Sequence, residues 1–220
     1  KGNFREEVVI MRRNAHRLLR LINQILDLAK IDAGKLKLSA AEQDLAVFIR
    51  DTISNFESAA RNKKIELISQ IPKRPVMVYF DNEKMEDILE IIISNALKFS
   101  FAGNKVMIRL ALHDRVDEVN KTDMKPMAEI TIQDTGMGIP QEDIDHIFDR
   151  FYQMNSSQTR KHEGWGIGLS LANELVKLHH GTIKVKSVPA RGSSFIISLP
   201  FGRDHLSDEE IISESALPFP

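Results

Sequence analysis

Two glycine clusters constrain this chain more than any other stretch. Asp134-Thr135-Gly136-Met137-Gly138-Ile139-Pro140 and Gly164-Trp165-Gly166-Ile167-Gly168-Leu169 begin 30 residues apart. Glycine is needed where a main chain must take a positive φ or approach a ligand more closely than a Cβ allows. The first cluster follows Ala128-Glu129-Ile130-Thr131-Ile132, whose alternation predicts a strand ending at Asp134. The second opens a predicted helix from Leu169 to His180. A glycine-rich turn feeding a helix start offers unpaired N–H groups and a positive dipole end, which suits phosphate. Asp134, at a strand end, is placed to accept a hydrogen bond from an exocyclic amine. Together these features predict a purine-nucleotide pocket built largely from main chain.

The rest of the composition narrows the classes. With 220 residues, 42% of them hydrophobic and 28% charged, the chain can bury a full core. Its 30 basic and 31 acidic residues leave a net charge of -1, which gives no global case for nucleic acid or an anionic membrane. Cysteine is absent, so disulfides, thiolate catalysis and cysteine metal sites are excluded. No apolar run approaches the roughly 18 residues of a membrane span. The chain opens at Lys1 in mid-pattern and without Met, and reads as a piece of something longer.

From Phe4 to about Asp32 the sequence predicts one long helix. Val8, Met11, Ala15, Leu18, Ile22, Ile25 and Ala29 recur at alternating spacings of 3 and 4, a heptad seam of the coiled-coil kind. Leu19, Leu21, Leu26 and Leu28 widen the stripe enough to require partners on several sides, as in a four-helix bundle. Gly34 follows as a helix stop, Lys35 to Ser39 reads as an extended connector, and a domain boundary falls near 33 to 40. Asp44 is expected to cap a helix running to about Asn62. Strands are expected at Ile65–Ile71 and Val76–Phe80, then a helix capped by Asp81 or Asn82 that runs through Ile92, Ile93, Ala96 and Leu97. Lys105–Leu112 and Ala128–Gln133 follow as strands joined by a polar loop, His113 to Met127. Pro140 starts a short helix that ends toward Phe148-Asp149-Arg150-Phe151-Tyr152, and the polar run 153–163 suits a lid. Thr182–Ser187 and Ser194–Leu199 are the last expected strands. The acidic stretch from Pro200 to Pro220 reads as a tail or linker.

The order Ser94-Asn95-Ala96-Leu97-Lys98-Phe99, then Asp134-x-Gly136-x-Gly138-Ile139, then Phe148-x-x-Phe151, then Gly164-x-Gly166-x-Gly168-Leu169 resembles the sensor histidine kinases of two-component systems. Met11 to Asn23 and Phe201 to Leu206 further resemble hybrid sensors of the gut Bacteroides type. The resemblance implies an α+β fold, a two-layer α/β sandwich of the Bergerat type preceded by a long coiled-coil-like helix. Residues 1–35 would be the second helix of a dimerisation and phosphotransfer hairpin, 41–200 the ATP-binding catalytic domain, and 201–220 a tail or linker. Asn95 resembles the asparagine that holds the nucleotide's Mg²⁺, and Lys98 lies on the same helix face. Asp134 resembles the adenine-specifying carboxylate, with Gly136, Gly138 and Ile139 as pocket wall. Gly164, Gly166, Ile167, Gly168 and Leu169 would wrap the triphosphate of ATP. Phe148 and Phe151 resemble the aromatic pair beneath the lid, and ordinary core packing is the competing reading for both.

Three positions depart from the family pattern. Ile91 stands where an asparagine is frequent and where gyrase-type and chaperone-type ATPases place a glutamate base. Glu90 beside it is rotated by about 100° from the Asn95 face. Trp165 replaces a small residue, and Gln153 stands where many kinases have arginine. Among the seven histidines, His113 and His162 precede acidic residues, but none shows the acceptor pattern of histidine, acidic residue and proline. The acceptor is therefore expected upstream of Lys1. The resemblance further implies a response-regulator receiver domain as partner and homodimerisation through the hairpin helices. It also implies a cytoplasmic location beneath a membrane-anchored parent, with neither nucleic acid nor membrane touched by this piece. The rival readings are an ATP-hydrolysing clamp of the gyrase or chaperone class and a degenerate, non-catalytic scaffold.

Overall fold

The computed structural model describes residues 2–116, 124–154 and 165–212. They belong to two compact units, Lys1–Leu36 and Lys37–Pro220.

The first unit is a single helix, α1 (Gly2–Asp32). Much of its apolar stripe is open to solvent: Val8, Met11, Leu18, Ile22 and Ile25 are each 45% to 63% exposed, whereas Leu28 is buried. Beyond the helix, the Gly34 and Lys35 N–H groups donate to the carbonyls of Ile31 (2.9 Å) and Lys30 (2.8 Å), closing its last turn.

The second unit contains two sheets. Strands β1 (Ala41–Asp44) and β3 (Met77–Phe80) form a small antiparallel pair. The main sheet is built from β2 (Glu66–Gln70), β4 (Lys105–Val116), β5 (Met124–Asp134), β6 (Thr182–Val188) and β7 (Gly192–Pro200). Its strands lie in the order β2-β4-β5-β7-β6, with β2 parallel to β4 and the other pairs antiparallel.

The period-two pattern sets which face is buried. Val106, Ile108 and Leu110 on β4, Ala128, Ile130 and Ile132 on β5, and Phe195, Ile197 and Leu199 on β7 are all buried. Helices α2 (Leu45–Ser54), α4 (Asn82–Lys98) and α6 (Gly168–Leu178) supply the second layer. α4 is its centre: Ile88, Leu89, Ile92 and Ile93 are fully buried, each contributing about 1.5–3 kcal/mol of apolar burial. Asp44 caps α2 by accepting from the Ala46 N–H at 2.9 Å, and Asp81 caps α4 by accepting from the Lys84 N–H at 3.2 Å. The main sheet covered by one helix layer is the α+β sandwich that the resemblance implies.

Several elements differ from expectation. The helix from Asp44 to Asn62 breaks into α2 and α3 (Glu57–Asn62). At the break the Ser54 hydroxyl bonds back to the Asp51 carbonyl, and the Asn55 and Phe56 N–H groups bond three residues back, to Thr52 and Ile53. Such tightening ends an α-helical turn. β1 forms from Ala-Glu-Gln-Asp, a stretch with no alternation to announce it. The expected loop from His113 to Met127 is instead the outer part of a hairpin, with Val116 opposite Met124. β2 accompanies β4 only to Arg109 and β7 accompanies β5 only from Met127, so this arm extends past its neighbours in the sheet.

The described part of the C-terminal stretch, residues 201–212, folds back. Ala40 donates to the Glu210 carbonyl at 2.7 Å and accepts from the Ile212 N–H at 2.9 Å, a parallel bridge beside β1. A 3-10 turn at Asp208–Glu210 leads into it, and Glu210 also meets His180 Nε2 at 2.9 Å. Among the described residues, no helix is long and apolar enough to cross a membrane.

Candidate functional site

Asp134 continues the inward-facing row of β5, two residues beyond Ile132, so the strand's own period delivers a carboxylate to the core face. It is only 5% exposed. Burial pushes its carboxyl above the usual range, while N–H donors from Gly136 and Ser193 oppose that rise. The Gly136 N–H donates to Asp134 Oδ1 at 2.8 Å and fixes the carboxylate's orientation.

The turn after Asp134 is held from two sides. On one side, the Met137 N–H donates to the Phe99 carbonyl at 3.2 Å, and a Cβ on Gly136 would stand 2.3 Å from that same oxygen. Only glycine lets the turn lie against the end of α4. On the other side, the Ile139 N–H donates to Ser187 Oγ at 2.8 Å and the Ala190 N–H donates to the Met137 carbonyl at 2.7 Å, securing the turn to the β6–β7 hairpin. Gly138 and Ile139 are both buried.

α4 joins this turn to the second cluster. Ile91, Asn95 and Phe99 are spaced by four residues and share one face. At one end of that face, a Cβ on Gly168 would stand 3.4 Å from Ile91 Cγ2, so α6 begins against Ile91. At the other end, Phe99 carries the Gly136–Met137 contacts. Asn95 lies between them, half-buried, and its carbonyl accepts from the Phe99 N–H at 3.0 Å. Lys98 Nζ lies 4.9 Å from the centroid of the Phe99 ring.

The start of α6 has no side-chain cap, which leaves the N–H groups of its first turn for a ligand. Ile167 is buried, and its carbonyl accepts from the Leu171 N–H and the Ser170 hydroxyl. Leu169 is half-buried. Gly166 has φ +69°, and its carbonyl accepts from the Phe151 N–H at 2.8 Å. A Cβ there would meet the Tyr152 carbonyl oxygen at 2.6 Å. Gly164 and the rest of 155–164, including His162 and most of the expected lid, lie outside the described residues.

The two phenylalanines occupy different settings. Phe148 meets Phe195 of β7 edge-on at 6.5 Å between ring centroids. Phe151 is 68% exposed with φ 63°. Trp165 is also largely exposed, at 59%.

Sequence reasoning missed the residues that brace the turn. Ser187 was read only as the end of a strand. Gly192, between the last two expected strands, packs against the same turn: a Cβ there would stand 2.0 Å from the Asp134 carbonyl oxygen. The Phe99 carbonyl carries no sequence signal. A glycine between two expected strands is the one sequence signal at Gly192.

These features define an α/β sandwich with a buried carboxylate at one end of α4 and an uncapped helix start against the same helix. The family described as histidine kinase-, DNA gyrase B- and HSP90-like ATPase matches residues 80–203, more than half of the chain. The chain is 36% identical over 198 residues to the hybrid signal transduction histidine kinase D of Dictyostelium discoideum, covering 90% of this chain and 12% of that protein. It is 38% identical over 191 residues to the sensor histidine kinase TmoS of Ectopseudomonas mendocina, covering 87% and 18%. With the sensor histidine kinase WalK of Bacillus subtilis it shares 30% identity over 201 residues, covering 91% and 31%. The chain thus spans less than a third of the length of each of these relatives.

Among solved structures, full-length ShkA in complex with AMPPNP superposes with a TM-score of 0.73 at 24% identity, covering 90% of this chain and 38% of that one. The catalytic domain of the histidine kinase ThkA gives 0.60 at 22%, covering 74% and 97%. The chain belongs to the histidine kinase-, DNA gyrase B- and HSP90-like ATPase family, and its relatives place it there as the ATP-binding catalytic core of a sensor histidine kinase.

Proposed function

We propose that this core transfers the γ-phosphoryl of ATP to a histidine on a hairpin helix, for relay to the aspartate of a response-regulator receiver domain. The observation that carries the reading is the α4 face of Ile91, Asn95 and Phe99, which reaches from the start of α6 to the Asp134 turn.

In this reading Asp134 accepts from the adenine amine, with its orientation set by the Gly136 N–H. Gly136, Gly138 and Ile139 line the base, and the first turn of α6, from Ile167 to Leu169, faces the phosphates with Gly164 and Gly166. Asn95 presents its amide oxygen to Mg²⁺, and Lys98 approaches phosphate. Mg²⁺, when bound, neutralises phosphate oxygens and prefers oxygen ligands. Among the described residues no group of three or more His, Asp or Glu is arranged to hold a metal. An ion shared between Asn95 and the nucleotide fits that donor set. The protein's contribution is then positioning and charge neutralisation.

Ile91 argues against a hydrolytic clamp. That role needs a carboxylate facing a water, whereas Ile91 is 8% exposed and lies against Gly168. The open stripe of α1 supports pairing of hairpin helices between two copies in the parent protein. Residues 1–35 serve as the second hairpin helix, 41–200 as the catalytic domain and 201–220 as a tail or linker. We place the domain in the cytoplasm beneath a membrane anchor carried elsewhere in the parent, without nucleic-acid or membrane contacts of its own.

The test supplies a histidine-bearing hairpin in trans. Mg-ATP is expected to raise the melting temperature, the hairpin to become phosphorylated, and Asn95→Asp to abolish transfer. Rapid steady hydrolysis by the chain alone would favour the clamp, and absence of nucleotide binding would favour the scaffold.

A further inference from the structure

A second recess lies two strands away from Asp134. It is a cleft of about 560 Å³ between α2, α3 and β2 that shares no residue with the nucleotide site. Ile53, Ala60 and Ile65 form a buried apolar floor, and Leu67 and Ser69 of β2 form one wall. Arg50 and Arg61, both exposed, stand at its rim.

β2 is an edge strand, paired only with β4 among the described residues. The Glu66 N–H donates to the Asn104 carbonyl at 2.9 Å. By the alternation of a parallel ladder, Glu66, Ile68 and Gln70 then turn their main-chain groups toward β4, and Leu67 and Ser69 turn theirs outward. The two residues that wall the cleft are therefore the two whose N–H and C=O groups lack a strand partner.

Open edges are commonly protected by lysine, proline or a bulge. The opposite edge, β6, carries exposed Lys184 and Lys186. β2, Glu-Leu-Ile-Ser-Gln, has neither lysine nor proline. The lining itself leans basic: Arg50 and Arg61 are both exposed, and Glu57 is the one carboxylate lining the cleft.

We propose that the β2 edge is a docking site for an extended peptide segment of a partner protein, added as a sixth strand beside Leu67–Ser69. Acidic side chains of that segment meet Arg50 and Arg61, and an apolar side chain between them covers the floor. Main-chain pairing supplies affinity and the arginines select charge. Leu67 and Ser69 are one strand repeat apart, about 6.6 Å, so a core of three to five partner residues fills the site.

The probe is the peptide acetyl-Asp-Glu-Val-Thr-Val-Glu-Asp-amide, titrated into the full ¹⁵N-labelled chain, with its charge-reversed lysine counterpart as control. The expected result is shifts of the Leu67 and Ser69 amides by the acidic peptide alone, weakening with salt. Arg61→Glu, on an exposed side chain, should lower affinity about tenfold or more and admit the lysine peptide. Asp134→Asn should leave the titration unchanged, which separates this site from the nucleotide reading. Absent shifts at Leu67 and Ser69, equal binding of both peptides, or indifference to Arg61→Glu would each overturn the proposal.

Discussion

The Gly136 N–H holds Asp134 Oδ1 at 2.8 Å, while the missing side chain of Gly136 leaves room for the Phe99 carbonyl. One residue thus orients the buried carboxylate and lets the turn lie on α4. Gly136→Ala would put a Cβ 2.3 Å from a main-chain oxygen that no rotamer change can move. Overpacking of this kind costs about 1–3 kcal/mol. The expected outcome is a lower melting temperature together with loss of ATP binding in calorimetric titration.

Asp134→Asn keeps an acceptor for Gly136 but removes the charge. ATP affinity is expected to fall about tenfold or more, the scale of a hydrogen bond to a charged group at about 1.5–3 kcal/mol. The pH profile supplies a second readout. Burial raises the native carboxyl above 3.8, so from there up to its raised value the native state keeps a proton that the unfolded chain has lost. Stability falls as pH rises across that window. The variant lacks this slope, which paired thermal melts against pH would reveal.

Ile91→Ala removes the side chain on which α6 begins. A cavity of this type costs about 2–5 kcal/mol. Because Gly168 rests on Ile91, phosphate binding should weaken beyond what lost stability explains, measured as ATP affinity at a temperature where the variant stays folded. Ile91→Val should cost only about 0.5–1.5 kcal/mol and leave affinity intact.

Glu210 accepts from the Ser207 N–H and hydroxyl, each at 2.8 Å, and from His180. These bonds, the Ser207 N–H foremost, pull its carboxyl down to about 2 from 4.5. With the folded value depressed, its contribution is complete above 4.5 and is lost as pH falls through about 2. Glu210→Gln should lower the melting temperature at neutral pH, with the gap from wild type closing across that acid range. Faster amide exchange at Ala40 and Ile212 would locate the effect.

The exposed stripe of α1 predicts self-association. Leaving a single large apolar side chain in water costs on the order of 1 kcal/mol or more. Sedimentation should show concentration-dependent association of the full chain, and Leu18→Glu with Ile25→Glu should abolish it.

Much of this architecture was legible because burial and period agree. Alternation along 128–134 both predicted β5 and put Asp134 in the inward row. The run through Ile92, Ile93, Ala96 and Leu97 likewise marked α4 as a helix, and all four are buried. What escaped notice depends on neighbours rather than on local pattern. β1 exists because β3 offers it an edge, not because Ala-Glu-Gln-Asp favours extension. The outer hairpin at 113–116 and 124–127 looks like loop because its residues follow no apolar alternation, and it forms where the chain extends past β2 and nearly all of it past β7. Within the site, Asn95, Asp134 and the glycines announced themselves by residue type, whereas Ser187 and the Phe99 carbonyl brace the turn through groups that almost any sequence supplies.

The Ala40–Ile211 bridge also has a mechanical consequence for the second unit. Its two strands run in the same direction, so tension applied between Lys37 and Ile212 pulls them past each other. The hydrogen bonds on either side of Ala40 would then be loaded together, in shear, rather than opened one after the other.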